Sequence, residues 1–574
     1  MKSIIGLREA NCKNCYKCIR GCPVKSLNYA DEQVRVIDAE CIYCGQCVLG
    51  CPQKAKVVES DLPRVRQALD AGEKIYVSLA PTYVAAFPEY NLPQLSAALR
   101  SLGFAHVEET AIGAGPVTRE YEKLIAAHRM RNIITTSCPS LNLLVRKYYP
   151  GLVSQMAPVV TPVLAHARMI RQIYGPRARV VFIGPCIAKK YEVEDPESGG
   201  TIFAVLTFKD LADWFAQAGV HPGEADPEGR GMANPLPRYY PAPGGVIQNL
   251  AREYRRLYEC VSIDGADRCI QVLDSIRDQE LSGYFLEMNI CAGGCLGGPA
   301  MRMLGVSFLP AKEALLQRLR HANPIPAALT EGTQARFTRP FTALGVPEPP
   351  VDEAKIREVL ALTGKTSPEK ELNCGCCGYD TCREKAIAVL HGKADIRMCV
   401  PYMRELAECM SSTVVENIPI GVLILNGKLE ITHINPAAVQ MLRLQETVTG
   451  RPVGELLDCG DFAQALATGK NILHHKVMYE KYGLCVKQSV VVPENGLVFV
   501  LLRDVTEEER SAADHRRLAE ENAQIARDVI NRQMRVVQEI AGLLGETTTD
   551  TKLALARLTH AILPDEGDPH GTGA

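Results

Sequence analysis

Cysteines are the residues of this chain with the clearest chemical potential, since 22 of its 574 residues are cysteine and most stand in spaced groups. A thiolate is both a nucleophile and a ligand for soft metal ions. The N-terminus lacks the apolar stretch of a signal peptide, so we expect a reducing cytoplasm, where grouped thiols favour metal binding over disulfides. No run of about 18 apolar residues predicts a membrane span. The 64 basic and 66 acidic residues indicate no surface for nucleic acid.

The first 60 residues contain the motif Cys-x2-Cys-x2-Cys-x3-Cys-Pro twice, beginning at Cys12 and at Cys41. This doubled motif is typical of two-cluster bacterial ferredoxins, in which the fourth cysteine of each run binds the other cluster. Zinc is the weaker alternative, because its motifs are paired Cys-x2-Cys knuckles. We therefore predict two [4Fe–4S] clusters that relay single electrons. Their ligands are Cys12, Cys15, Cys18 and Cys51 for one cluster, and Cys41, Cys44, Cys47 and Cys22 for the other.

The elements that must position the other cysteines follow in residues 75 to 345. Short apolar runs such as "KIYVSLAPT" and "RVVFIGPC" end at turns and precede helical periodicity, which predicts parallel strands joined by crossover helices. Functional groups of such sheets lie in loops at the carboxyl ends of the strands. Three of these loops carry Cys138, Cys186, Cys291 and Cys295. Four thiolates are the number that a [4Fe–4S] cubane requires.

The loops "TTSCPSL", "GPCIAKKYE" and "CAGGCLGGPAM" resemble, in this order, the three motifs of the [FeFe] hydrogenase catalytic domain. The resemblance implies that the four cysteines hold the [4Fe–4S] part of an H-cluster. Cys295 would also bridge to a two-iron subsite with CO, cyanide and dithiolate ligands. Lys189, oriented by Glu192, would donate to a cyanide, as would Pro81 and Thr82 of "LAPT" through backbone or hydroxyl groups. The alternatives are four unrelated buried thiols, or a maturation-type homologue that holds a cubane alone.

The first of these loops departs from the family pattern. Family members have two adjacent cysteines there, and the earlier one exchanges protons with the two-iron subsite; this chain has Ser137. The serine of the family's proton path falls on Ala157, and its acidic pair falls near Tyr121 and Leu124. An alkyl hydroxyl is a far weaker acid than a thiol with a pKa near 8.5. We therefore expect slow H2 turnover, unless water chains replace the lost groups.

A third cysteine group lies in "NCGCCGYDTC" and at Cys399. It resembles the small [4Fe–4S] domain of corrinoid iron–sulfur proteins and of membrane electron-transport subunits. Cys376 is an additional cysteine that could exchange with Cys377 as a ligand, and zinc remains an alternative. The resemblance implies a third [4Fe–4S] cluster bound by Cys374, Cys377, Cys382 and Cys399.

The last third of the chain resembles a PAS domain followed by a long charged helix. "ENIPIGVLILN" opens the PAS pattern with a strand and an Asn426-Gly427 turn, and "LLRDVTEEER" closes it. His433, His474 and His475 leave haem as an alternative PAS ligand. The helix is predicted over 505–545 with an apolar stripe near coiled-coil spacing, which favours either signalling to a partner or a purely structural dimer. The stripe consists of Leu518, Ile525, Val529, Val536, Ile540 and Leu543.

Together these segments predict a multidomain α/β and α+β chain that resembles the sensory [FeFe] hydrogenases. Expected partners are H2, an electron-transfer protein such as ferredoxin, a kinase or phosphatase, maturation proteins and a second copy of the chain. The alternatives are a metabolic ferredoxin-dependent hydrogenase with full turnover, and a non-catalytic electron-transfer or scaffold protein. The predicted domains are a two-[4Fe–4S] ferredoxin domain at 1–60, an H-cluster domain at 61–345, a 4Fe–4S domain at 355–405, a PAS domain at 410–508, and a coiled-coil-like signalling helix with a disordered tail at 509–574.

Overall fold

The computed structural model describes residues 3–221, 235–320, 335–347, 349–445, 448–493, 496–543, 553–554 and 557. The chain divides into two compact units, Met1–Met403 and Arg404–Ala574. Within the described ranges, no helix combines the length and the apolar character needed to span a membrane.

The N-terminal module consists of two antiparallel strand pairs and two very short helices. Ile5–Leu7 pairs with Lys56–Val58, which brings the two ends of the module together. The second pair is a hairpin of Leu27–Ala30 and Gln33–Val36. The helices Lys17–Arg20 and Gln46–Gly50 each lie within one cysteine motif, so each motif wraps a single helical turn.

Two parallel sheets form the centre of the first unit, and the predicted alternation of strands and helices is confirmed. All five residues of the strand Ile75–Leu79 are buried, as expected for a parallel sheet covered on both faces. In spatial order, the four-stranded sheet contains His106–Glu109, Ile75–Leu79, Arg179–Gly184 and Ala204–Thr207, and the three-stranded sheet contains Glu259–Asp264, Tyr284–Asn289 and Ile133–Ile134.

Helices cover both sheets and connect successive strands. Several begin at N-caps that the sequence supplies, such as Asn91, whose side chain accepts a hydrogen bond from the backbone N–H of Gln94. The helices are Leu62–Asp70, Tyr83–Ala86, Leu92–Ser101, Ala111–Ala127, Pro139–Tyr148, Pro162–Tyr174, Lys189–Glu194, Phe208–Ala218, Gly245–Asn249, Ala266–Arg277, Pro299–Met303 and Phe308–Arg320.

A small helical module completes the first unit and packs on the N-terminal module. Its helices Glu353–Leu362 and Cys382–Leu390 share an apolar core that includes Ile356 and Ala386. Another core joins Tyr379 of this module to Ile19 of the N-terminal module. The helix Val400–Asn417 begins at the residue after Cys399.

The second unit is built around a five-stranded antiparallel sheet of the PAS type. The edge strand Ile472–Tyr479 was missed by the sequence prediction, because most of its side chains face solvent and give no alternating pattern. The helices are Pro436–Met441 and Gly460–Thr468. In spatial order the strands are Ile431–Ile434, Gly421–Leu425, Val498–Asp504, Leu484–Val491 and Ile472–Tyr479.

The first hairpin of this unit differs from the predicted two-residue turn at Asn426-Gly427. The loop runs from Asn426 to Glu430, and Leu429, at φ 59°, takes the left-handed conformation instead of Gly427. The Asn426 side chain accepts hydrogen bonds from the backbone N–H groups of Lys428 (2.9 Å) and Glu430 (3.0 Å), which favours the longer loop.

The predicted long helix spans Thr506–Leu543. Five residues of its apolar stripe, from Leu518 to Ile540, are at least half exposed. The predicted tail, "PDEGDPHGTGA", and the segment 544–552 lie outside the described residues.

Candidate functional site

The N-terminal cysteines line two separate cavities. One cavity of about 300 Å³ contains only buried cysteines, and the other, of about 340 Å³, lies nearer the surface. Each cavity takes its fourth cysteine from the opposite motif. We call them the inner cavity, lined by Cys22, Cys41, Cys44 and Cys47, and the outer cavity, lined by Cys12, Cys15, Cys18 and Cys51.

Local backbone geometry and burial prepare these thiols for metal. The backbone N–H of Tyr43 donates to Cys41 Sγ at 3.3 Å, and that of Ala55 donates to Cys51 Sγ at the same distance. Burial raises the pKa of Cys41 to about 11. A thiol with that pKa stays protonated at neutral pH unless a metal cation replaces the proton. Four converging cysteine sulfurs in each cavity, with a backbone N–H donor to one sulfur of each set, fit a [4Fe–4S] cluster.

The four cysteines of the three loops at the strand ends meet in one larger space, which we call the central cavity. Cys186 follows a strand of the four-stranded sheet, whereas Cys138, Cys291 and Cys295 follow strands of the three-stranded sheet. All four line the same cavity, whose free volume is about 990 Å³ including its open mouth. Burial raises the pKa of Cys186 to about 11 and that of Cys291 well above its usual value.

Glycines allow the backbone to fold closely around this cavity. Gly294 has φ +62°, and a Cβ atom there would lie 2.7 Å from the carbonyl oxygen of Pro241. A Cβ atom on Gly45, in the motif of the inner cavity, would lie 2.8 Å from both Ile187 and Pro299. The inner cavity therefore adjoins the loop that follows Cys186, where an electron could pass between the two centres.

Three polar groups predicted for this site take distinct positions. Thr82 lies in the wall beside Pro81, and its buried Oγ1 has no hydrogen-bond partner among the described residues. Lys189 also lines the cavity, and its buried Nζ donates to Glu192 Oε2 at 2.6 Å. Glu192 is buried behind Lys189 and is not part of the lining. A group that accepts hydrogen bonds would satisfy the Thr82 hydroxyl, as a cyanide ligand does.

Ser137 lines the central cavity at the position where the family has its proton-exchanging cysteine. Its hydroxyl lies 3.3 Å from the hydroxyl of Tyr121, which is itself fully buried. Ala157 is also fully buried, and Leu124 packs at the edge of the core. Ala157 and Leu124 carry no exchangeable side-chain proton, so of these three positions only Tyr121 places an ionisable group beside Ser137.

The sequence prediction missed an acidic group in the cavity wall, Glu287. Its Oε2 accepts a hydrogen bond from the backbone N–H of Ile247 at 3.0 Å, and its buried Oε1 has no partner among the described residues. Burial raises the pKa of Glu287 to about 7. The available signal was one carboxylate inside the apolar strand run "YFLEMN", just before the third motif.

The third cysteine group lines a further cavity of about 470 Å³, which we call the peripheral cavity. The predicted ligands Cys374, Cys377, Cys382 and Cys399 all lie in its wall, together with Cys376, so the structure leaves the choice between Cys376 and Cys377 open.

The histidines considered for haem lie at exposed or partly exposed positions of the PAS sheet. His474 and His475 project from the exposed edge strand, and His475 Nδ1 lies 2.6 Å from Asp461 Oδ2. His433 is partly exposed beside Glu416.

Comparison with known proteins agrees with this arrangement. Residues 73–299 match the family model of the iron-only hydrogenase large subunit, C-terminal domain. Residues 4–52 match a 4Fe-4S dicluster domain, residues 371–401 an Fe-S cluster domain, and residues 410–473 a PAS domain. The chain is therefore homologous to [FeFe] hydrogenases and combines this catalytic-type domain with iron–sulfur domains and a PAS domain.

Three curated relatives show the extent of the similarity. Iron hydrogenase 1 of Clostridium pasteurianum is 26% identical over 42% of this chain and 52% of its own length. The periplasmic [Fe] hydrogenase large subunit of Nitratidesulfovibrio vulgaris is 29% identical over 53% of this chain and 87% of its own length. The NADP-reducing hydrogenase subunit HndD of Solidesulfovibrio fructosivorans is 24% identical over 51% of this chain and 56% of its own length. The chain thus spans about half the length of the first and third relatives.

Proposed function

We propose that this protein binds H2, splits it slowly and reversibly, and acts as a sensor of H2 or redox state. The observation that carries the proposal is the convergence of Cys138, Cys186, Cys291 and Cys295 on the central cavity. Four thiolates from three loops are what one [4Fe–4S] cluster needs. The proposed cofactors are three [4Fe–4S] clusters and one H-cluster, whose two-iron subsite shares Cys295.

The size of the central cavity favours a full H-cluster over a cubane alone. Its free volume of about 990 Å³ compares with about 300 and 340 Å³ for the two N-terminal cavities, each of which also has four cysteines. The additional space is lined by hydrogen-bond donors, the Thr82 hydroxyl and the Lys189 ammonium group. If the cavity bound a [4Fe–4S] cubane alone, the cofactor would offer neither group a hydrogen-bond acceptor.

When bound, the H-cluster supplies the reversible conversion of H2 into two protons and two electrons. Lys189 would donate to an anionic ligand of the cluster, and Glu192 would hold the Lys189 ammonium group in place at 2.6 Å. Thr82 and Pro81 would close the opposite wall. The electrons would leave through the inner and outer cavities.

Proton transfer is where this chain departs from the family pattern. Ser137 keeps its proton near neutral pH, so we assign the proton-carrying role to Glu287, whose carboxyl pKa of about 7 suits exchange at that pH. Glu287 lines the same cavity as Ser137, but from the strand Tyr284–Asn289 and not from the loop of the first cysteine motif, so the proton route would differ from that of the family.

The sensory part of the proposal is supported by the PAS domain and the exposed apolar stripe of the helix Thr506–Leu543. Such a stripe suits a second copy of the chain or a kinase or phosphatase. A metabolic, ferredoxin-dependent hydrogenase and a non-catalytic electron-transfer or scaffold protein are the competing functions. The proposal includes a cytoplasmic location for the protein.

Infrared spectroscopy of the matured protein, combined with a turnover assay, separates these functions. The sensor predicts CO and cyanide bands together with low H2 evolution from a reduced dye. A metabolic hydrogenase predicts the same bands with high turnover, and a scaffold predicts no bands. The variant Cys186→Ser is the matched control, since it removes one cluster ligand and should abolish the bands. Bands that persist in Cys186→Ser would contradict the ligand set.

A further inference from the structure

The peripheral cavity differs from the two N-terminal cavities in the charge of its wall. Two lysines line it, Lys365 and Lys385, and both are at least nine-tenths buried. Lys365 Nζ donates to Cys399 Sγ at 3.4 Å and to the carbonyl oxygen of Thr363 at 3.0 Å. Lys385 Nζ donates to the carbonyl oxygen of Ile396 at 2.9 Å. In the described part of the chain, no carboxylate forms an ion pair with either lysine.

The other two cavities have fewer such charges. The outer cavity has one buried lysine, Lys56, whose Nζ donates to the carbonyl oxygen of Val34. No lysine lines the inner cavity. Near the inner cavity, the buried ammonium group of Lys147 donates to the carbonyl oxygens of Cys41 (2.8 Å) and Asp38 (3.3 Å) and lies close to acidic side chains.

Solvent exposure sets the inner cavity apart from the other two. All four cysteines of the inner cavity are buried, whereas Cys15 of the outer cavity is exposed, and Cys374 at the rim of the peripheral cavity is exposed as well. A thiolate-bound cubane is an anion that gains one more negative charge on reduction. Buried cations, hydrogen bonds to sulfur and solvent exposure all stabilise the reduced form and raise the reduction potential.

The small helical module places the peripheral cavity beside the electron relay. Arg20 joins the two cysteine loops, since its guanidinium donates to the carbonyl oxygens of Cys15 (3.1 Å) and Cys376 (2.7 Å). Gly378 lies against Ile19 so closely that a Cβ atom there would be 2.8 Å from the Ile19 side chain. An electron leaving the N-terminal module therefore has a packed protein path to the peripheral centre.

We propose that the peripheral cluster is the electron-collecting centre of the protein, with the highest reduction potential of the three [4Fe–4S] clusters and the inner cluster the lowest. Lys365 and Lys385 set this order, because their buried positive charges stabilise the reduced peripheral cluster. This inference rests on the proposed function only for the source of the electrons. Splitting one H2 releases two protons and two electrons; one electron would reduce the peripheral cluster and the other the outer cluster. A ferredoxin-type acceptor would reoxidise both.

The order of potentials is testable by a redox titration of the reconstituted full chain, followed by electron paramagnetic resonance. The signal that is absent from the variant Cys399→Ala identifies the peripheral cluster, and Cys382→Ala provides a second assignment. We expect this signal to develop first as the potential is lowered with a chemical reductant. A peripheral signal that develops last would overturn the inference.

The lysines are tested by the variants Lys365→Met and Lys385→Met, with the exposed Lys370→Met of the same module as the control. Each buried-site variant should shift the peripheral cluster to a lower potential and leave the inner cluster unchanged, whereas Lys370→Met should shift neither. Shifts no larger than that of Lys370→Met would contradict the role of the lysines. If a methionine variant loses iron, Lys365→Arg and Lys385→Arg take its place. These variants keep the positive charge, so the peripheral cluster should keep its wild-type reduction potential. A lower potential in either arginine variant would also overturn the proposal.

A final exposure of the oxidised protein to H2 distinguishes this inference from the proposed function. If the titration gives the expected order but H2 reduces no cluster, the H2 reaction is wrong and the order of potentials stands. If H2 reduces the clusters but the peripheral cluster fills last, the H2 reaction stands and the inference is wrong.

Discussion

At the scale of single residues, the central cavity contains two groups that differ greatly in acidity. The Ser137 hydroxyl keeps its proton across the pH range in which proteins are stable, whereas the Glu287 carboxyl has a pKa of about 7. Both line the cavity, and neither belongs to the cysteine sets. Substitution of either group should therefore change the rate of proton exchange, whereas of the two only Glu287 should change how stability depends on pH.

The substitution Ser137→Cys should raise the rate of H2 evolution by the matured protein, because a thiol exchanges protons near neutral pH. General acid–base groups typically contribute about 100-fold to 10,000-fold, so we expect an increase of at least about 10-fold. Ser140→Cys is the control, since Ser140 lines the same cavity three residues further along the chain and should leave the rate unchanged. An equal rate in wild type and Ser137→Cys would show that proton exchange at this position does not limit turnover.

The substitution Glu287→Gln should change how stability depends on pH. The folded-state pKa of about 7 lies above the ordinary value of 4.5, so the folded protein holds the carboxyl proton more tightly than the unfolded chain. The wild type should therefore lose stability as pH rises from 4.5 through 7, relative to Glu287→Gln. Relative to Glu287→Gln, this pKa difference lowers the free energy of unfolding of the wild type by about 3 kcal/mol at pH 8.5 and changes it little near pH 4.5.

Urea unfolding of the apoprotein under reducing conditions, between pH 4.5 and 8.5, measures this effect. The exposed Glu259→Gln, on the neighbouring strand, should show no such pH-dependent difference. A constant difference between wild type and Glu287→Gln across this range would mean that the carboxyl titrates normally.

At the scale of elements, the carboxyl ends of parallel strands could be predicted from sequence, because apolar runs that end in Gly, Pro and Cys are a local signal. The strand "RVVFIG" and the cysteine that follows it are an example. Glu287 and the two lysines of the peripheral cavity could not be predicted, because their burial depends on contacts between residues far apart in the chain. The PAS strand Ile472–Tyr479 was missed for the opposite reason, since its side chains face solvent and carry no periodic signal.

The loop after the strand Tyr284–Asn289 depends on glycine for its close approach to the Pro241 segment. The substitution Gly294→Ala should lower cluster occupancy, because its Cβ atom would lie 2.7 Å from a backbone carbonyl oxygen that cannot move aside easily. Gly305→Ala is the matched control, since Gly305 has a similar positive φ (+77°) but no atom near the added methyl group. Iron content per chain and the intensity of the CO bands measure the effect. Equal losses in both variants would indicate backbone strain rather than crowding as the cause.

At the scale of the whole molecule, the cavities form a series within the first unit. The central cavity adjoins the inner cavity through Gly45, and the small helical module contacts the N-terminal module through Arg20. The second unit offers the PAS sheet and the exposed helix Thr506–Leu543 as surfaces for contact with another chain.

The helix Thr506–Leu543 should mediate self-association if its apolar stripe forms a coiled coil. Asn522 falls on the same heptad position as Val529 and Val536, and one polar residue there is typical of two-stranded coiled coils. The substitution Val529→Lys should convert a dimer into a monomer, as measured by light scattering, because it places a charge in the seam. Ala513→Lys, on the outward face, should leave the mass unchanged. A monomeric wild type would contradict the dimer.

The most direct test of the account is the infrared spectrum of the matured full chain under argon and then under H2. We predict CO and cyanide bands under argon and a change in their positions under H2, because the central cavity would hold an iron site that responds to the gas. A protein that carries its full complement of iron and sulfide after maturation, but shows no CO or cyanide bands or shows bands that H2 leaves unchanged, would contradict the account.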